Sequence, residues 1–366
     1  MKILWFNHRD LKHPLAGGAE RTIYEVSKRL VSSGYEVNLV SVNPGELEES
    51  EVLDGINVFR IKGNIMTHLA VPKIIGKVKP DIVIDDLAHV VPWFSPLFTS
   101  TPVIVFFRHF HGRSLSGQVN PLLAIILKVI EKNYRFIYRN NIFVTESKTS
   151  IDDLETLEIE QGRIFKILPG VDRKKFKPDK KTEKPSIIYF GGMRDYKRPW
   201  LLAEVMKAID DPSITMNVVG SGPSLIRVKE MVNKYKLGTR INFLGRLTED
   251  KLAIILSSSW ANVHFSLTEG FGYSILESAS CGVPTVALDS KGVTEVINEF
   301  NLGTTCDEID SFQESLKKVL ENNDSWSKKV YENSSIFSWE NTSEQWCKLI
   351  NILLEDGRIR ESSRTN

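Results

Sequence analysis

The sequence predicts an α/β protein built of two consecutive halves, each a parallel sheet flanked by helices. Two observations carry this. Short apolar, β-rich runs alternate with amphipathic segments from one end of the chain to the other, the pattern of parallel strands joined by right-handed helical crossovers. The alternation also stops once and restarts, across a Lys- and Pro-rich stretch near the middle. At 366 residues the chain has room for two domains, each with its own core.

Taken in order, KILWF, VNLVSV, DIVID, VIVFF and NIFVTES read as strands buried on both faces, as in parallel sheets. After the first, AERTIYEVSKRLVSSG places Ile23, Val26 and Leu30 at helical spacing and ends on Gly34, a residue suited to a helix C-terminus. The Lys/Pro stretch at 169–185 reads as an interdomain linker, which sets a first half at 1–168 and a second at 186–339. The second half opens with SIIYFGG and continues through ITMNVVGSGP, INFLGR, ANVHFS and PTVALD. At the end, FSWENTSEQWCKLINILLE predicts a helix over about 340–358 with Trp346, Leu349 and Leu353 on one face. No strand follows it, so that face must bury on an existing surface, and the expectation is that it crosses back onto the first half.

Composition excludes several classes. Apolar residues at 42% and charged residues at 25% are an ordinary soluble balance. Lys plus Arg, 47, nearly cancel Asp plus Glu, 46, so no global field points to nucleic acid. Cys281, Cys306 and Cys347 are an odd number without metal-ligand spacing and read as thiols in a reducing compartment. MKILWFNH turns polar too early for a signal peptide. No run reaches the roughly 18 apolar residues of a spanning helix; the longest, PLLAIILKVI, is broken by Lys128. A cytoplasmic protein is expected.

The chemistry concentrates in HFSLTEGFGYSILESASCG, His264 to Gly282. ANVHFS is a strand, LTEGFG a turn at its carboxyl end, and YSILESAS a helix ended by Gly282 and Pro284. Ligands of open α/β sheets bind beyond the carboxyl ends of strands. The backbone N–H groups of Gly272, Tyr273 and Ser274 would cradle an anion there, aided by the helix dipole. Glu269 would sit where a reacting sugar could be placed. Glu277, facing the same mouth, would accept hydrogen bonds from ribose hydroxyls. Either acid alone is equally consistent with a solvated loop or first-turn residue.

Other strand exits add to this. YFGGMRDYKRPW, Tyr189 to Trp200, offers a second anion site after the first strand of the second half. VVGSGPS holds only Gly-x-Gly, too little for a nicotinamide dinucleotide fingerprint, so Gly220 and Gly222 read as tight turns closing on a nucleotide. VIVFFRHFHGRS places His109 and His111 just past a strand, with no Cys, Asp or Glu companion at ligand spacing, so no metal is expected. Lys128, Lys132, Arg135 and Arg139 recur at spacings of four, three and four, predicting one basic helix face beside Leu122, Leu123, Ile126, Leu127 and Ile130. That face could touch anionic lipid or a pyrophosphate-linked acceptor, or simply be solvated.

Together these segments resemble glycosyltransferase family 4, a family of retaining GT-B enzymes, over nearly the whole chain. The resemblance rests on Glu, seven residues, Glu around EGFG; on HPLAGGAERTIYEVSKRL, similar to the family's first glycine-rich loop; on LPGVDRKKFKP, similar to its connector; on INFLGRLTEDKL, similar to its base-binding loop; and on the FSWENTSEQW helix. It implies two Rossmann-like domains facing across a cleft, with the donor held mainly by the second and the acceptor by the first. It implies transfer of a hexosyl unit from a nucleotide-diphosphate sugar to an acceptor hydroxyl, with retention of configuration, no metal and no cofactor, in glycan or glycolipid assembly. By position it assigns Lys197 to the donor diphosphate, Glu269 to the donor sugar, Glu277 to ribose, and Gly17 and Gly18 to the donor phosphate or acceptor. Arg246 and Leu247 fall to the base, Gly220, Gly222 and Gly270, Phe271, Gly272, Tyr273, Ser274 to the donor cradle, and His109 or His111 to the donor sugar or acceptor. One departure stands out: Gly192 occupies the family's arginine position, and Arg194 is the expected substitute. The rival readings are a sugar-nucleotide epimerase on the same fold, which needs no acceptor, and a non-catalytic nucleotide-sugar-binding subunit. Peripheral contact with the inner membrane face is the expectation for the basic stripe.

Overall fold

The computed structural model describes residues 1–110, 120–267 and 269–362. The chain divides into two compact units, one formed by Met1–Gly170 with Trp339–Asn366, the other by Val171–Ser338.

In the first unit, β1 (Lys2–Phe6), β2 (Glu36–Asn43), β3 (Ser50–Leu53), β4 (Ile56–Lys62), β5 (Ile82–Leu87), β6 (Val103–Phe107), β7 (Ile142–Thr145) and β8 (Ile164–Lys166) form one sheet. Its order is β3-β4-β2-β1-β5-β6-β7-β8, parallel except where β3 pairs antiparallel with β4. The helices between strands are α1 (Gly18–Ser32), α2 (Asn64–Val78), α3 (Pro121–Lys132), α4 (Tyr134–Ile137) and α5 (Lys148–Glu155). The second unit carries β9 (Ser186–Phe190), β10 (Thr215–Val219), β11 (Ile241–Gly245), β12 (Ala261–His264), β13 (Thr285–Leu288) and β14 (Gly303–Cys306). These form an all-parallel sheet in the order β11-β10-β9-β12-β13-β14. Its helices are α6 (Leu201–Lys207), α7 (Leu225–Lys234), α8 (Glu249–Ser258), α9 (Tyr273–Ser280), α10 (Val293–Phe300), α11 (Ile309–Glu321) and α12 (Asn323–Asn333). The last helix, α13 (Trp339–Ser362), belongs to the first unit.

Strand side chains alternate between faces, and in the first unit both faces are covered. Ile3 and Trp5 pack with Ile23, Val26 and Leu30 of α1 and with Trp346, Leu349 and Ile350 of α13. Leu4 and Phe6 pack with Val71 and Ile75 of α2. That two-sided burial is why KILWF reads as an uninterrupted apolar run. The ring of Trp346 is fully buried, 5.3 Å from Trp5 and 5.1 Å from Phe106. Thr342 Oγ1 donates to the Leu168 carbonyl at 2.8 Å, fixing the start of α13.

Two features depart from the sequence expectation. The β3–β4 pair and α2 fill a stretch where the sequence predicts no element; Pro72 lies inside α2 and hides its periodicity. The basic face over Lys128, Lys132, Arg135 and Arg139 is not one helix. Asn133 ends α3: its backbone N–H bonds to the Ile130 carbonyl and its side chain donates to the Val129 carbonyl at 2.6 Å, a local bond that competes with continuing the helix. The chain restarts as the short α4, which swings Tyr134 and Tyr138 into the core, leaves Arg135 paired with Glu158 and puts Arg139 beyond the helix. The three cysteines are free thiols.

Candidate functional site

In the second sheet β9 lies between β10 and β12. Connections run outward from it on both sides, so the exits of β9 and β12 form the switch point where an open α/β sheet leaves a crevice for ligand. The loops that leave these two strands carry Lys197 and Glu269.

After β9 the chain makes a one-turn 3-10 segment, Asp195–Lys197. After β12 it runs through Ser266 to Glu269. The strand neighbours bring the two side chains together although 72 positions separate them, and Lys197 Nζ pairs with Glu269 Oε1. Ser266 Oγ donates to the same oxygen at 2.8 Å, and His264 Nε2 stands 3.5 Å from it. Burial pushes the Glu269 carboxyl up, but the Lys197 ammonium and the hydrogen bond from His264 outweigh it and hold Glu269 below the usual carboxylate range. The carboxylate is therefore charged throughout the neutral range. Its backbone is fixed as well, with the Glu269 N–H on the Lys291 carbonyl at 3.3 Å.

Glycines let the loops approach this closely. Gly220, at φ +138°, would put a Cβ 1.9 Å from the Gly191 carbonyl oxygen, and Gly222, at φ +151°, 2.4 Å from that of Met193. Their requirement is thus contact between the β10 and β9 exit loops, a different reason from closure on a nucleotide. Gly272 caps α9 at φ +87°, so Tyr273, Ser274 and Glu277 open that helix half-buried, while the Phe271 ring is buried against Phe337 and leaves only its backbone at the turn. Gly270 precedes it, half-buried.

Arg194 stands exposed at the start of the 3-10 turn. Arg246, exposed, and Leu247, half-buried, follow β11, two strands away from β9. Sequence reasoning missed Arg198, whose Nε donates to the Phe265 carbonyl at 2.6 Å and whose Nη2 is buried without a hydrogen-bond partner. Its left-handed backbone, φ +46°, follows from closing the turn at a non-glycine residue. Ser266 and His264 were missed too, since only the strand order reveals what they face.

In the first unit, Gly17 and Gly18 follow β1 and His109 follows β6. Arg108 links them. Its guanidinium bonds to Asp86 at 2.8 and 3.2 Å, to Glu146 at 3.0 Å and to the Ala19 carbonyl at 3.4 Å. Glu20 in turn accepts from the Gly17 N–H at 2.7 Å. His109 is half-buried beside this network; His111 lies outside the described residues. No cluster of His, Cys, Asp or Glu among the described residues could hold a metal ion.

Two family models between them match most of the chain. The one described as Glycosyltransferase Family 4 covers residues 16–175, and the one described as Glycosyl transferases group 1 covers residues 170–335. The chain belongs to these GT-B glycosyltransferases. A human phosphatidylinositol N-acetylglucosaminyltransferase polypeptide is 23% identical over 92% of this glycosyltransferase and 73% of its own length. Among solved structures, sucrose-phosphate synthase from Thermosynechococcus elongatus shares the fold with a TM-score of 0.81 at 19% identity, covering 97% of this chain and 99% of that one. Anabaena HepE in complex with UDP-glucose has a TM-score of 0.74 at 16% identity, with 96% and 99% covered.

Proposed function

We propose that this glycosyltransferase moves a hexosyl or N-acetylhexosaminyl unit from a nucleotide-diphosphate sugar to a hydroxyl of a glycolipid acceptor, with retention of configuration and without a metal. The observation that carries the reading is the Lys197–Glu269 pair at the switch point of the second sheet. A diphosphate leaving group gains charge as the glycosidic bond breaks. Lys197, the amides of Gly270 to Ser274 and the start of α9 are the fixed positive features that would meet it. Glu269 holds the donor sugar and favours its oxocarbenium-like state, and Glu277 binds ribose. In the first unit, Gly17, Gly18 and His109 are assigned to the acceptor.

Two relatives support the substrate class: the human protein is named for N-acetylglucosamine transfer to phosphatidylinositol, and HepE was solved with UDP-glucose. No described helix is long and apolar enough to cross a membrane. Contact with an anionic inner membrane face is assigned to α3, which exposes Leu122, Leu123, Ile125, Ile126 and Val129 beside Lys128 and Lys132.

A thermal-shift screen against UDP-, GDP- and ADP-sugars tests the donor assignment. A donor at a hundred times its Kd should stabilise the protein by about 2.7 kcal/mol. No shift with any of them, together with no product on glycolipid acceptors, sinks the reading.

A further inference from the structure

We propose that Gly292, in the loop after β13, is a positioning residue for transfer: it sets where the Glu269 peptide lies, and through that peptide how the Glu269 carboxylate meets the donor sugar. The inference rests on the donor-site reading above and adds to it a residue outside the two loops that carry Lys197 and Glu269.

The chain between Ser266 and Glu269 runs between two neighbouring strand exits and is held by both. On the β9 side the Leu267 N–H donates to the Tyr196 carbonyl at 2.8 Å, and on the β13 side the Glu269 N–H donates to the Lys291 carbonyl at 3.3 Å. The next residue, Gly292, is buried at φ +82° with its α-carbon against the Glu269 carbonyl. A Cβ there would stand 2.2 Å from that oxygen, where ordinary contact begins at 3.4 Å, and 3.5 Å from the Gly270 carbonyl oxygen. A side chain at this position therefore drives the Glu269–Gly270 peptide away by about 1 Å. The loop itself is braced against giving way. The Asp289 N–H donates to the Cys306 carbonyl at 2.8 Å, the Ser290 N–H to Thr294 Oγ1 at 3.0 Å, and Val293, which opens α10, is fully buried. Gly220 makes the same kind of contact on Gly191, but Gly292 bears on the acid placed at the donor sugar. Displacing a group at the reacting centre by about 1 Å costs on the order of a hundredfold in rate. The loss falls on turnover, because Lys197 and the start of α9 still grip the diphosphate.

The test follows nucleotide release by the full chain from UDP-N-acetylglucosamine onto phosphatidylinositol in mixed micelles, with UDP-glucose and GDP-mannose as alternative donors. Gly292→Ala should lower kcat about a hundredfold and change the donor KM far less. In a Glu269→Gln background, which lacks the carboxylate, the same substitution should change kcat by less than about twofold. Gly303→Ala is the control: its Cβ would stand 1.9 Å from the Thr285 carbonyl oxygen, where β14 and β13 begin, so it should lower Tm yet leave kcat within about threefold. An unchanged kcat in Gly292→Ala, equal proportional losses with and without the Glu269 carboxylate, or an equal loss of kcat in Gly303→Ala overturns the proposal and leaves the donor site standing. Should Gly292→Ala not fold, Thr294→Val decides: it deletes the hydroxyl that braces Ser290 and should cost about fivefold in kcat, a loss that vanishes in Glu269→Gln. No loss, or one that persists there, overturns the proposal. Full activity in Glu269→Gln, or no nucleotide release from any of the three donors, overturns the donor-site reading and this inference together.

Discussion

The two units use charge at their strand exits in opposite ways. In the first, Arg108, just past β6, is buried among Asp86 and Glu146, its guanidinium consumed by acids of its own unit. In the second, Lys197 and Glu269 remain partly exposed, at 20% and 16%, on loops whose glycines pack backbone against backbone. The first arrangement shapes a loop; the second leaves a cation where an anion can compete for it. The difference separates a charge that positions from a charge that binds.

Removing the first kind should cost most. Arg108→Ala leaves Asp86 and Glu146 buried without their counter-charge, so unfolding stability should fall by about 3–5 kcal/mol in denaturant titration. Trp346→Ala should cost a similar amount, about 3–5 kcal/mol, by opening a cavity between Trp5 and Phe106. Removing the second kind should act on turnover. Lys197→Ala is expected to slow transfer about a hundredfold, some 3 kcal/mol of barrier, and to cost less stability than Arg108→Ala, because Ser266 and His264 remain on Glu269. Equal damage to folding and activity in Arg108→Ala and Lys197→Ala would erase the contrast. Gly220→Ala sits between them: its Cβ meets the Gly191 carbonyl, and a loss of about 2 kcal/mol should appear in thermal melting along with weaker donor binding.

A last effect concerns pH. Burial raises the Asp85 carboxyl to about 7, despite hydrogen bonds from Ser95 and Tyr138. Its folded pKa lies above its unfolded value near 3.8, so the folded state binds the extra proton and stability from this group declines as pH rises from about 4 to 7. Asp85→Asn should flatten the Tm profile across that window, whereas Lys197→Ala should leave the same window unchanged.

Much of this was legible in the sequence, and the reason is local. Strands covered on both faces write themselves as continuous apolar runs, and the glycines at their exits mark turns. The pairing of Lys197 with Glu269 is not local: it requires β9 beside β12, and no periodicity states a strand order. Arg108 and His264 stayed hidden for the same cause, as their partners come from other strands. The break at Asn133 escaped because a four-three-four spacing of cations is blind to a side chain that bonds the backbone behind it.

The helix α13 imposes an order on synthesis. When a ribosome has finished the strands of the first unit, the wall that covers Trp5 and Phe106 has not yet been made. The whole second unit is translated first, on the order of ten seconds at ordinary elongation rates. During that interval the nascent sheet lacks the indole that later covers Trp5 and Phe106, so the first unit completes its core only after the second has been made.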